Sequence, residues 1–248
     1  MIPIKTAPEI QKMRSAGRAA RRVLERLVKE VRPGVSTGEL DMAAAGFMGE
    51  EDCRSAFLGY KGFPRQCCLS INEEVVHGIG GQRKLQFGDV VKIDVGVNKG
   101  GWIGDTATTV PVGAVTQETA RLLRATEDAL GIALSFATNG RRLGDLCSAI
   151  EESVVAKGFS VVREFVGHGV GRRLHEEPQV PNFGQKGTGP KLKAGMTIAI
   201  EPMVNAGGPE VRVLADGWTV VTRDGKCSAH FEHTVLITDG EPEVLTFS

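Results

Sequence analysis

The chain has 248 residues, with 30 basic and 30 acidic side chains and a formal net charge of zero. That balance gives no electrostatic signal for nucleic acid or anionic lipid, and no apolar run reaches the ~20 residues needed to cross a bilayer. Five cysteines without paired spacing, and a start (Met1-Ile2-Pro3-Ile4-Lys5) without a secretory apolar core, predict a reduced cytoplasmic protein.

In chain order, Thr6-Ala7-Pro8-Glu9 is a capping box that opens a helix. Ile10, Met13, Ala20, Leu24, Leu27, Val28 and Val31 continue it at helical spacing, and Pro33-Gly34 stops it. Ser36, Thr37 and Glu39 start a second helix running to about Glu50. A glycine-bearing loop (Gly59, Gly62, Pro64) follows. Strands are predicted at Cys67–Ile71, Val90–Val97 and Trp102–Val110. The second half opens the same way, with Thr116 capping a helix that Asn139-Gly140 ends and another helix over about 143–157. Strands are predicted near Val161–Arg163, Met196–Val204, Trp218–Thr222 and His230–Ile237. Helices followed by strands, twice over, argue an α+β fold with a largely antiparallel sheet.

The chain also repeats itself. Leu85-Gln86-Phe87-Gly88 and Val91-Lys92-Ile93-Asp94 return as Leu192-Lys193-Ala194-Gly195 and Ile198-Ala199-Ile200-Glu201, an offset of 107 residues between Asp94 and Glu201. His77-Gly78-Ile79-Gly80 returns as His168-Gly169-Val170-Gly171, and Asp105-Thr106 has a looser echo in Glu232-His233-Thr234. The repeat predicts one domain of two halves, about 1–113 and 114–248, whose matching acids meet at a seam. Carboxylates plus a histidine at such a seam are costly as packing and useful as a cation site.

Asn98-Lys99-Gly100-Gly101 reads as a hairpin turn. Centred on Lys99-Gly100, it sets Asp94 directly opposite Asp105, ~5 Å apart at Cβ. Bare carboxylates so placed repel, and a cation removes the penalty. Of the five histidines, His168 and His175 can share a site only if the chain turns between them, because the intervening glycines disfavour a helix. His230 and His233 flank Glu232, are predicted to point mostly away from it, and read as structural. No H-E-x-x-H is present.

Taken in order, these segments resemble the methionine aminopeptidases of the short, type I form over nearly the whole chain. They are joined by Pro33-Gly34-Val35-Ser36-Thr37-Gly38-Glu39-Leu40, Asn72-Glu73, His175-Glu176-Glu177-Pro178 and Ile200-Glu201-Pro202-Met203-Val204. The resemblance implies the pita-bread fold, two pseudo-symmetric halves with a curved sheet covered by helices. It implies Asp94, Asp105, His168, Glu201 and Glu232 as ligands of two divalent ions (Mn, Fe, Co or Zn), with Asp105 and Glu232 bridging. Glu201 would also manage the proton of the activated water, His175 would stabilise the oxyanion, and His77 would bond the scissile amide or position the substrate. Tyr60, Phe63, Cys68 and Trp218 would line the methionine pocket. Phe63 and Leu174 stand where some relatives carry other aromatics, and Gly80 replaces a frequent proline. The implied activity is removal of the initiator methionine from nascent chains in the cytoplasm, preferring small second residues, by a monomer with transient ribosome contact. The alternatives are an aminopeptidase P or prolidase relative, and an inactive pita-bread binding module. All five ligand positions and both auxiliary histidines are present, which weighs against the latter.

Overall fold

The computed structural model describes residues 2–247. Its helices start where the sequence places caps. The Thr6 backbone N–H donates to Glu9 Oε2 at 3.0 Å to open α1 (Ala7–Glu30), and the Ser36 N–H donates to Glu39 at 2.7 Å to open α2 (Thr37–Glu50). Thr116 caps α3 (Gln117–Phe136), and α4 follows at Leu143–Val155. The strands of the first half are β1 (Arg54–Ser55), β2 (Cys68–Ile71), β3 (Glu74–Val76), β4 (Val90–Lys99) and β5 (Trp102–Pro111). Those of the second are β6 (Ser160–Val161), β7 (Gly167–Gly169), β8 (Glu176–Val180), β9 (Thr197–Ile200), β10 (Met203–Asn205), β11 (Val211–Val213), β12 (Val220–Thr222), β13 (Ser228–His230), β14 (Glu232–Leu236) and β15 (Glu243–Val244).

Nine strands form the main antiparallel sheet along the path β1-β4-β5-β14-β9-β7-β8, with β2 also on β4 and β15 on β14. A separate sheet, β11-β12-β3, also joins the halves. In the main sheet they meet at one seam, β5 against β14, and the strands flanking it (β4, β9) occupy equivalent places. Threonines stitch that seam. Thr234 Oγ1 donates to Asp105 O (2.7 Å), Thr106 Oγ1 to Glu232 O (2.9 Å) and Thr109 Oγ1 to His230 O (2.7 Å). Lys92, fully buried, adds a tie by donating from Nζ to Asn72 O and, across the halves, to Ser228 O. On the helical side α1 lies on β4 and β5, while α3 packs against α4. A Cβ at Gly104 would sit 2.4 Å from the Ala16 carbonyl oxygen, so α1 rests directly on the β5 backbone. Each half has its own apolar core, one of α1, α2, β2 and β4 side chains and one of α3, α4 and β9 side chains.

Two strand readings change. The hairpin runs from Val90↔Pro111 to Lys99↔Trp102, so its turn is Gly100-Gly101 rather than Lys99-Gly100. A two-residue turn of this kind needs positive φ at both centres, and the glycines take 58° and 82° where lysine would be strained. The register moves by two residues: Asp94 faces Ala107 and Asp105 faces Gly96. A shift of two keeps both acids on one face, as diagonal neighbours instead of a direct pair. Second, the strands expected at 196–204 and 230–237 are each broken, at Glu201-Pro202 and at Phe231. The pairing register is unchanged across the break (Ile200↔His233, then Met203↔His230), but beyond it the arms leave for a second sheet, β13-β10-β6. Pro202 cannot donate to a ladder, which favours the kink there.

Candidate metal centre

Four strands bring four acids to one place. Asp94 comes from β4, Asp105 from β5, Glu232 from the first residue of β14, and Glu201 from the residue just after β9. Glu232 pairs with Ala107, which pairs with Asp94, so a single row across the sheet carries acids from both halves. Oxygens of Asp94, Asp105 and Glu232 lie within 4.8 Å of one another. His168 reaches the same point from β7, its Nε2 3.8 Å from Asp105 Oδ2 and 3.5 Å from Glu201 Oε1. Glycines on either side let β7 in: a Cβ at Gly167 would meet Ala199 O at 2.4 Å, and one at Gly169 would meet Glu177 O at 2.1 Å. These glycines serve close backbone packing beside the site.

The electrostatics are those of a cluster lacking counter-charge. Among the described residues no lysine or arginine pairs with any of the four acids, and Asp94 Oδ1, Asp105 Oδ1 and Glu232 Oε1 are buried without a hydrogen-bond partner. Burial raises the Asp94 carboxyl to about 7. It carries Asp105, Glu201 and Glu232 well above the usual carboxylate range, and their mutual repulsion adds to the shift. Burial holds the His168 imidazole neutral, down to about 3. Its Nδ1 lies 2.9 Å from Gly169 O, and a carbonyl can only accept, so the proton is on Nδ1 and the Nε2 lone pair faces the acids. Orphaned acid oxygens and an inward lone pair form a donor set that fits divalent cations.

Above the acids lies a cavity of about 210 Å³, lined by all eleven residues singled out from the sequence. Phe63 stands edge-on to Trp218 at 5.2 Å, and Trp218 faces His77 at 6.2 Å. The buried Cys68 pairs with Asp94 across β2 and β4, and burial keeps its thiol protonated. The turn predicted between His168 and His175 is present: β7 and β8 pair antiparallel, and the two imidazole centroids are 4.2 Å apart. Tyr60 Oη lies 2.7 Å from His175 Nδ1. His77 takes φ 60°, a left-handed conformation that turns the chain at the cavity wall. Burial, with His175 adding, lowers its imidazole to about 4.

Sequence reading missed part of this wall. Phe57, Phe165 and Met203 also line the cavity, and Phe165 packs edge-on against His77 at 5.5 Å. Phe57 and Phe165 are isolated apolar residues outside any element and carry no periodic signal, while Met203 opens β10 and reads as an ordinary core strand residue. His233 is structural as expected, its Nδ1 2.9 Å from Thr246 Oγ1. His230 departs from the expectation: it turns toward Glu201, Nε2 3.7 Å from Oε2. His230 is two residues from Glu232, and strand alternation sets such residues on one face, so that signal points toward the site rather than away from it.

Comparison with known proteins matches the chain to metallopeptidases. The family model described as "Metallopeptidase family M24" matches residues 11–239. Methionine aminopeptidase 1 of Bacillus subtilis is 49% identical over 246 residues, covering 99% of each chain. A methionine aminopeptidase of Escherichia coli is 50% identical over 247 residues, covering 99% of this chain and 94% of that one. The crystal structure of methionine aminopeptidase from Rickettsia prowazekii superposes with a TM-score of 0.98 at 41% identity, over the full length of both.

Proposed function

The chain belongs to the methionine aminopeptidases of metallopeptidase family M24, and on that premise we propose that it removes N-terminal methionine by a water activated at two divalent cations. The observation that carries this reading is the buried acid cluster lining the cavity, without a counter-charge and with one orphaned oxygen each on Asp94, Asp105 and Glu232, facing a neutral imidazole. Four carboxylates and one neutral ligand are balanced by two divalent charges, whereas a single ion leaves two negative charges buried. Asp105 and Glu232, next to the seam, would bridge; Asp94 would complete one position, and His168 with Glu201 the other. Such a pair, when bound, makes a shared water acidic at neutral pH and polarises a carbonyl.

The remaining steps fall to the chain's own groups. Glu201, at the edge of the cluster, takes the proton from the attacking water and returns it to the leaving amine. A Tyr60 O–H donated to His175 Nδ1 leaves the other ring proton on Nε2, available to the developing oxyanion. His77, uncharged above about pH 4, bonds the scissile amide. Phe63, Trp218, Tyr60 and Cys68 receive the thioether, where one methylene is worth roughly 1–3 kcal/mol of discrimination. His77 and His175 share the cavity wall with this pocket, and the second residue accepted beside them is small. The whole chain acts as one catalytic unit. Its substrates are nascent polypeptides in the cytoplasm, met as a monomer with transient ribosome contact.

The test is turnover of Met-Ala-Ser beside an X-Pro peptide, before and after chelation. Met-Ala-Ser is cleaved, a chelator abolishes it, and Mn or Co restores it; Asp94→Ala binds metal weakly and stays inactive. Preferential cleavage of the X-Pro peptide, or chelator-resistant activity, defeats the proposal.

A further inference from the structure

Glu201 lies between two imidazoles, one on each carboxylate oxygen. His168 Nε2 is 3.5 Å from Oε1, and His230 Nε2 is 3.7 Å from Oε2. The rings look alike and are wired differently. His168 spends its Nδ1 proton on the Gly169 carbonyl and so presents a lone pair to Oε1. A lone pair and a carboxylate oxygen at that distance repel unless a cation or a proton lies between them. His230 makes no such bond: neither of its ring nitrogens has a partner, although the side chain is fully buried. Its backbone is held across the seam by Thr109, whose hydroxyl accepts from His230 N–H at 2.9 Å and donates to His230 O at 2.7 Å, so the ring is anchored at its root.

A neutral imidazole always carries one N–H, and burying it unsatisfied costs about 1–3 kcal/mol. The ion-pair contact of His230 is with Glu201 Oε2, less than an ångström beyond hydrogen-bond range. We propose that His230 is a positioning residue: its Nε2–H donates to Glu201 Oε2 and turns Oε1 toward the cation site. The carboxylate is thereby divided, one oxygen for a proton and one for a metal. His230 does not line the cavity, so it acts on substrate only through Glu201. This role rests on Glu201 being a ligand, as proposed above.

The test compares Mn(II) affinity, by competition with a fluorescent chelator, in the wild type, His230→Met and His230→Gln, with melting curves to show that each variant folds. Methionine fills the site without a donor and is expected to weaken Mn(II) binding 10–100-fold, the usual loss when an outer partner of a metal ligand is removed. Glutamine keeps an N–H and restores most of the affinity. Wild-type affinity in a folded His230→Met overturns the proposal, as does His230→Gln failing as badly as His230→Met. A second measurement needs no variant: ¹⁵N spectra of the Zn(II)-loaded wild type should show His168 protonated on Nδ1 and His230 on Nε2. His230 protonated on Nδ1 overturns the assignment. If the wild type binds Mn(II) no better than Asp94→Ala, the metal-centre reading fails instead, so the two failures are distinguishable.

Discussion

The two halves deliver equivalent acids by opposite means. In the first, Asp94 and Asp105 are 11 residues apart on one hairpin closed by two glycines. In the second, Glu201 and Glu232 are 31 residues apart, and the paired arms kink just beyond the acids into another sheet. Where the turn is tight, the hairpin supplies its two acids and little else; the excursion of the second half also supplies Met203 and Trp218 to the cavity and His230 behind Glu201. The first half builds its share of the wall elsewhere, from the loop bearing Phe57, Tyr60 and Phe63 and from His77. Symmetry sets the four acids, and the asymmetric segments set most of the cavity wall.

The comparison is broken most severely at the seam. Asp105→Asn and Glu232→Gln exchange equivalent acids of the two halves and should be equally damaging. Each removes one of the four negative charges and a shared ligand, so several kcal/mol of transition-state stabilisation is lost, roughly 10³-fold or more in kcat/KM. Chelated, however, either variant should melt no lower than the chelated wild type, because one buried carboxyl that costs stability as it ionises is gone. Strong inequality between the two rates contradicts their equivalence.

A smaller break crosses from one half to the other. Tyr60 belongs to the first half and His175 to the second, joined at 2.7 Å. Tyr60→Phe leaves the cavity shape but frees the His175 tautomer. We expect kcat to fall by about tenfold with KM for Met-Ala-Ser nearly constant, the pattern of an interaction made in the transition state. A change confined to KM assigns Tyr60 to binding alone.

These effects track how legible each region was in sequence. The acids, His168 and the helix caps were readable because their signals are local or repeated: capping boxes at Thr6 and Ser36, and the echo of Val91-Lys92-Ile93-Asp94 in Ile198-Ala199-Ile200-Glu201. The roles read for them came with the family resemblance rather than from spacing. The hairpin register was misplaced by two residues because Asn98-Lys99-Gly100-Gly101 admits more than one turn, and the φ requirement at both centres decides among them. Parity survived the error, so the acids still shared a face. The kinks at Pro202 and Phe231 depend on which sheet each arm joins. That is largely a tertiary matter; Pro202, which cannot donate to a ladder, is the one local signal of a break.

The acids also give the metal-free protein a pH signature. Their folded pKa values are raised, Asp94 to about 7, from unfolded values of 3.8 and 4.5. Their contribution is therefore fully present below the unfolded pKa and is lost as pH rises through the folded one. His168 and His230 run the other way: lowered from 6.5 to about 3, they cost stability as pH falls below 6.5. Bound divalent cations hold the acids ionised and cancel the first effect only. The rise in Tm on adding Mn(II) to chelated protein should thus grow between about pH 5 and pH 8, by a few degrees. A gain that shrinks with rising pH removes the acids from the metal centre.

The mildest change sharpens the contrast in how each half is closed. Gly101 sits at φ 82°, where an L side chain is strained but where no neighbouring atom would meet a new Cβ. Gly101→Ala should therefore cost about 1–2 kcal/mol, the penalty for left-handed backbone, and lower Tm by roughly 2–4 °C per kcal/mol. The ladder from Val90↔Pro111 inward is ten pairs long, so the register of Asp94 and Asp105 is fixed far from the turn and kcat/KM should stay near wild type. If Gly101→Ala instead weakens Mn(II) binding in proportion to its loss of stability, the turn itself sets the acid register, and the hairpin is no more robust a ligand carrier than the broken arms of the second half.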